Sequence, residues 1–219
     1  MNRIIFGMAA LCVASALAPG AAQAAAPTTA TIITNAEVQK VLTLGSKAID
    51  HNIRVVDMGQ GYNMSIAVVH RGPTGVQPSR TPAESAAAAA ALAKAAPCGL
   101  KAAPAGAKII KSGSISHDST AETYVIISGS GTLVTGGTIV DGHRSAPDSD
   151  VTTTLNGPSC TGDVTGDQVL TPMKVGDIAV IPAGVAHGWT GITTEVTYLS
   201  VRPDPKHVLP KAGYKYPGL

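Results

Sequence analysis

The sequence has little surplus charge. It carries 16 Lys and Arg against 14 Asp and Glu, a formal net charge of +2, which offers no basic footprint for nucleic acid. It holds no G-x-S-x-G elbow, no P-loop and no G-x-G-x-x-G opening a helix, so nucleophile-elbow hydrolase and nucleotide-cradle chemistries are set aside. Gly129-Ser130-Gly131 reads as a hairpin turn between strands. No apolar run after the first is long enough to cross a bilayer. That first run, Ile4 to Ala18, is itself too short for a span. With Arg3 ahead of it and Ala22-Gln23-Ala24 behind, it reads as a signal peptide, 1–24, rather than an N-terminal anchor. Export to the periplasm or full secretion is the expectation. Without Arg3 the formal charge falls from +2 to +1.

Cysteine is scarce too. Of three, Cys12 lies in the leader, leaving Cys98 and Cys160. An even pair in an oxidising compartment reads as a Cys98–Cys160 disulfide, tying two long loops together; the alternative is two free thiols.

What is present is turn chemistry between short strands. After an arm at 25–50, Thr34-Asn35-Ala36-Glu37 is a capping box, and Val38, Val41, Leu42 and Ile49 follow at helical spacing. His51 reads as a surface residue. Thr81-Pro82-Ala83-Glu84 is a second box, opening an alanine-rich helix in an insertion at 81–96 on the outside of the fold. Strands are expected at Ile53 to Met58, Tyr62 to Arg71, Lys108 to Ser112, Glu122 to Ser128, Thr132 to Thr135, Thr138 to Val140, Val151 to Leu155, Val169 to Val175, Ile178 to Ile181 and Thr193 to Arg202. Asp141 to Asp150 and Asn156 to Gln168 read as polar loops. Many short strands with glycine turns and few helices mean an all-β sandwich or barrel over 51–205, with a tail at 206–219.

Two segments carry the chemistry. In SISHDSTAETYVIISG, His117 and Glu122 flank a polar, turn-prone Asp118 to Ala121; in GDIAVIPAGVAHGWTG the third candidate is His187. Alternation along the strand from Glu122 turns Glu122, Tyr124 and Ile126 inward and Thr123, Val125 and Ile127 outward. Both faces are largely apolar, so the outer one needs a sheet, a helix or a second subunit over it, and a homodimer is expected. A carboxylate inside an apolar barrel is expensive unless paired or metal-bound. Two imidazoles and a carboxylate suit non-haem Fe, and Zn, Mn or Ni also fit. The metal-free alternative has Glu122 hydrogen-bonded to His117 and His187. Tyr124 is the candidate acid/base or orienting group, and Trp189 shares a strand face with His187. His143 and His207 read as surface residues. His70 ends a strand whose inward face the sequence leaves open.

These residues resemble the cupin family. Its first motif, G-x5-H-x-H-x3,4-E-x6-G, is matched in its second half by His117, Glu122 and Gly129. Its second, G-x5-P-x-G-x2-H-x3-N, is matched by Gly176, Pro182, Gly184 and His187. The family's first histidine falls at Ile115 and its final asparagine at Gly191, which reduces a four-ligand site to three. The resemblance implies an all-β double-stranded β-helix (jelly-roll) barrel with a divalent metal held by His117, Glu122 and His187. It implies an oxygenase, lyase or isomerase acting on a small organic molecule. The alternatives are a non-catalytic barrel binding a sugar-like ligand and a structural or storage protein with a relict site.

Overall fold

The computed structural model describes residues 27–44, 48–59, 61–76 and 79–219. The leader at 1–24 lies outside the described residues. Both capping boxes form. Thr34 accepts from the Glu37 amide at the start of α1 (Asn35–Thr43), and Thr81 accepts from the Glu84 amide at the start of α2 (Pro82–Lys94). Helix α2 buries no residue, in keeping with its even alanine composition, and it lies on the outside.

The remaining elements, one helical turn at Val151–Leu155 aside, are strands. They are β1 (Asp50–Asp57), β2 (Asn63–Arg71), β3 (Pro97–Cys98), β4 (Ile109–His117), β5 (Glu122–Arg144), β6 (Ser159–Lys174), β7 (Ile178–Ile181), β8 (His187–Thr190) and β9 (Val196–Asp204). All named pairings are antiparallel. The order β1-β2-β9-β5-β6-β4-β8 returns on itself because β8 also pairs with β5, and the barrel is closed. The fold is therefore the mostly β, double-stranded β-helix type with few helices.

Strand β5 makes the closure. Its first part pairs with β9 and β7, and its second with β6 and β8. The change of sheet falls at Gly129, whose φ is +67° and where a Cβ would meet the Glu195 carbonyl oxygen at 2.0 Å. Only glycine fits that approach.

Three sequence expectations are corrected. Val151–Leu155 is a π-helical turn rather than a strand. Its β-branched residues suit a strand, but Thr153 bonds the Ser149 carbonyl and Thr152 the Ala146 carbonyl, and these side-chain bonds curl the backbone. Ser159 to Gln168 is strand β6 rather than loop. It lies between β4 and β5, and pairing on both edges overrides its polar composition. Gly162 permits this, since a Cβ there would sit 2.8 Å from Ile139 Cγ2 and 2.9 Å from Gly142 Cα. Strand β5 also runs on through Asp141 to Arg144, so His143 is a strand residue.

The inner core joins Val69, Tyr124, Ile126, Leu133, Trp189 and Tyr198. On the outer face, α1 covers part of the sheet: Val38 and Val41 pack with Ile53 and Val68, and Ile127 and Leu199 lean against them. Cys98 and Cys160 form a disulfide, with Cα atoms 6.0 Å apart. It joins the short strand after α2 to β6.

Candidate metal centre

His117 is the last residue of β4 and Glu122 the first of β5, so the polar Asp118–Ala121 connection sits between two strands of different sheets. That break lets both side chains point into the barrel. His187 opens β8, directly opposite Ile115 in the β4–β8 pairing. The Gly184 amide donates to the His117 carbonyl at 2.8 Å, which ties the loop before His187 to the end of β4. The ligand atoms of His117, Glu122 and His187 all lie within 4.8 Å of one another. Each residue is 3% exposed or less.

The outer nitrogen of each imidazole fixes its tautomer. Ser159 Oγ donates its one proton to the Gly157 carbonyl at 2.8 Å, so it accepts from His117 Nδ1–H at 2.8 Å. His187 Nδ1–H donates to the Val185 carbonyl at 2.9 Å. With Nδ1 engaged outward, each ring turns its Nε2 inward. Both Nε2 atoms meet the same carboxylate oxygen: Glu122 Oε2 lies 3.2 Å from His117 Nε2 and 2.9 Å from His187 Nε2. His187 Nε2 is buried without a hydrogen-bond partner.

The other carboxylate oxygen is saturated. Glu122 Oε1 accepts from Arg202 Nε at 2.8 Å, Ser200 Oγ at 2.8 Å and Asn156 Nδ2 at 3.1 Å. Tyr124 donates to Oε2 at 2.8 Å. Burial pushes the Glu122 carboxyl upward, but Arg202 and its other donors outweigh that and hold it well below its usual range. Burial lowers His117, against an opposing pull from Glu122. Burial, reinforced by Glu122, raises the Tyr124 phenol well above its ordinary value, so it stays protonated.

Two imidazole Nε2 atoms and one carboxylate oxygen converge, an arrangement that either a divalent cation or a proton on one imidazole satisfies. Metal bonds of about 2.0–2.2 Å at right angles set neighbouring ligand atoms about 3.0 Å apart, close to the two separations seen here. The side-chain arrangement fits a divalent cation held by one oxygen and two nitrogens. Asn156 Nδ2 also lies 3.2 Å from His117 Nε2 and partly satisfies it.

The structure brings Tyr124 to this cluster and leaves the other histidines out of it. His70 lies on the outer face, bonded to Thr197 at 2.8 Å beside Glu195, and does not stand in for the ligand missing at Ile115. His51 packs edge-on against Tyr216, and His207 bonds Gly61 and Asn63. Trp189 packs on Tyr198, with ring centroids 5.6 Å apart.

The sequence reading missed Arg202, Asn156, Ser200 and Ser159. Arg202 had a signal: Tyr198, Ser200 and Arg202 share one strand face, and an arginine on an inward face needs an acid. Asn156 and Ser159 had none, because both fall in the segment read as loop.

No model of a known protein family matches the sequence, and no curated protein matches it. Solved structures do match. A Klebsiella pneumoniae protein with a double-stranded beta-helix domain aligns at a TM-score of 0.36 and 16% identity, over 82% of this chain and 94% of that one. A Bacillus halodurans protein aligns at 0.36 and 11%, over 85% and 90%. An oxalate oxidase bound to the substrate analogue glycolate aligns at 0.31 and 12%, over 74% and 54%. These are likenesses of overall fold.

Proposed function

We propose that this chain is an exported, cupin-like enzyme that uses a divalent transition metal, Fe, Mn, Zn or Ni, to act on a small organic molecule. One observation carries the reading: two buried imidazole Nε2 atoms converge on one oxygen of an ionised carboxylate, and His187 Nε2 has no other partner. His117, Glu122 and His187 would hold the ion. When bound, it would supply Lewis-acid polarisation or activation of water or oxygen.

The chain's own groups do the rest. Ser159 and the Val185 carbonyl orient the imidazoles, the support that metal ligands require. Arg202, Ser200 and Asn156 occupy Glu122 Oε1 and leave Oε2 to face the histidines. Tyr124 is placed to orient Glu122 rather than to move a proton, since its hydroxyl is committed and hard to ionise. Tyr124, Tyr198 and Trp189 form an aromatic wall that excludes water from one side.

Export is supported by the leader pattern and by the disulfide between Cys98 and Cys160. No helix among the described residues is long and apolar enough to cross a membrane. A homodimer is supported by the outer face of β7, where Ile178 is 63% and Val180 73% exposed beside the half-buried Val125.

A second reading is a small-ligand-binding barrel without catalysis. The sealed cluster favours it, because Arg202 already neutralises Glu122. Metal analysis of untagged wild-type protein and of His187→Ala separates the two. Near-stoichiometric metal lost in the variant supports the enzyme; trace metal unchanged by the substitution refutes it. Oxygen uptake with candidate substrates then distinguishes an oxygenase from a lyase.

A further inference from the structure

A cavity of about 840 Å³ opens at one end of the barrel, within the size range of small-molecule sites. Asp50, Asn52 and Leu155 line it, and these same residues hold Arg202. It therefore lies on the far side of Arg202 from Glu122. Trp189 and Ile192 form an apolar part of its wall.

Arg71 also lines this cavity. It ends β2 on the same strand face as Val69, which packs in the inner core. Its Nε donates to the Tyr198 hydroxyl at 3.1 Å, one of five N–H donors. Its remaining donors have no partner among the described residues. The buried or partly buried Arg54, Arg144 and Arg202 each hold a carboxylate, and Arg71 holds none within ion-pair distance. Asp50 on the same wall acts on it only at a distance and is itself paired with Arg202, so the Arg71 fork keeps donors that a bound acceptor would satisfy.

We propose that the cavity is a binding site for a small organic monocarboxylate, received by the free fork of Arg71 with its carbon skeleton against Trp189 and Ile192. The planar fork matches a carboxylate through two parallel hydrogen bonds. One free fork matches one carboxylate, and the apolar wall of Trp189 and Ile192 takes a carbon skeleton that inorganic phosphate lacks; the acids Asp50 and Asp150 on the wall are balanced by Arg80 and Lys111. The inference deepens the reading above and rests on it for the class of ligand, but its test needs no metal.

Trp189 is the single tryptophan and reports from the cavity wall. In chelator-treated protein its fluorescence would be titrated with lactate, benzoate and gluconate, with lactamide and benzamide as neutral counterparts, and with inorganic phosphate. At least one carboxylate is expected to saturate with a Kd below about 1 mM, and Arg71→Met to weaken it at least about tenfold. Arg71→Lys, which keeps the charge without the fork, is expected to fall between them and carries the test if the methionine variant loses its circular dichroism. Unchanged binding in both variants overturns the proposal. So does equal binding of the amides, tighter binding of phosphate than of every carboxylate, or no saturation below about 10 mM. The titration is read on metal-free protein and metal content is measured separately on the untreated wild type, so loss of the metal reading and loss of this one give different results.

Discussion

Arg202 Nε lies 2.8 Å from Glu122 Oε1, on the carboxylate oxygen opposite the one that both imidazoles approach. The guanidinium continues to Asp50 at 2.6 Å, so a cation sits between two acids at the centre of the barrel. This arrangement lets Glu122 be ionised without using the oxygen that faces the histidines.

Removing that cation leaves a buried carboxylate uncompensated. Arg202→Met is expected to lose about 3–5 kcal/mol in denaturant unfolding. Glu122→Gln in the same chain should recover part of the loss, because the two residues share one interaction. Additive losses would mean that the pair is not coupled.

Acid should destabilise the metal-free protein in two stages. His117 is depressed below its ordinary 6.5, so below that value the unfolded chain binds the proton more readily and stability falls. Glu122 is depressed below its ordinary 4.5; its contribution is present above 4.5 and is lost as pH falls toward its folded value. In chelator-treated protein, Tm should decline from about pH 6.5 and more steeply below about pH 4.5. His117→Gln should remove the upper stage; a profile unchanged in that variant would contradict the assignment.

The Cys98–Cys160 bond closes a separation of 62 residues. A loop of that length restricts the unfolded chain by about 4 kcal/mol. Reduction, or Cys98→Ser with Cys160→Ser, should lower stability by roughly that amount in denaturant titrations while the barrel remains folded. Equal stability with and without the bond would show that the unfolded chain is not so restricted.

Strand β7 pairs with β5 along one edge and shows Ile178 and Val180 to solvent. If a second copy covers this face, light scattering at micromolar concentration should give twice the chain mass. Val180→Glu should then return a monomer of unchanged circular dichroism. A monomeric wild type would remove the dimer.

Sequence by itself determined the class of fold and the three residues at its centre. The pattern of short strands, glycine turns and capping boxes depends on local backbone chemistry, which neighbouring residues decide. His117, Glu122 and His187 were legible because a charged or imidazole side chain stands out at an inward strand position. Tertiary structure decided the rest. Ser159 to Gln168 became a strand because β4 and β5 flank it, and Val151–Leu155 became a helical turn through hydroxyl bonds to carbonyls four and six residues earlier. Arg202, Asn156 and Ser159 reach the centre across separations of 80, 34 and 42 residues from their partners Glu122 and His117. Such pairings depend on strand order and register in a closed barrel, which no local stretch encodes.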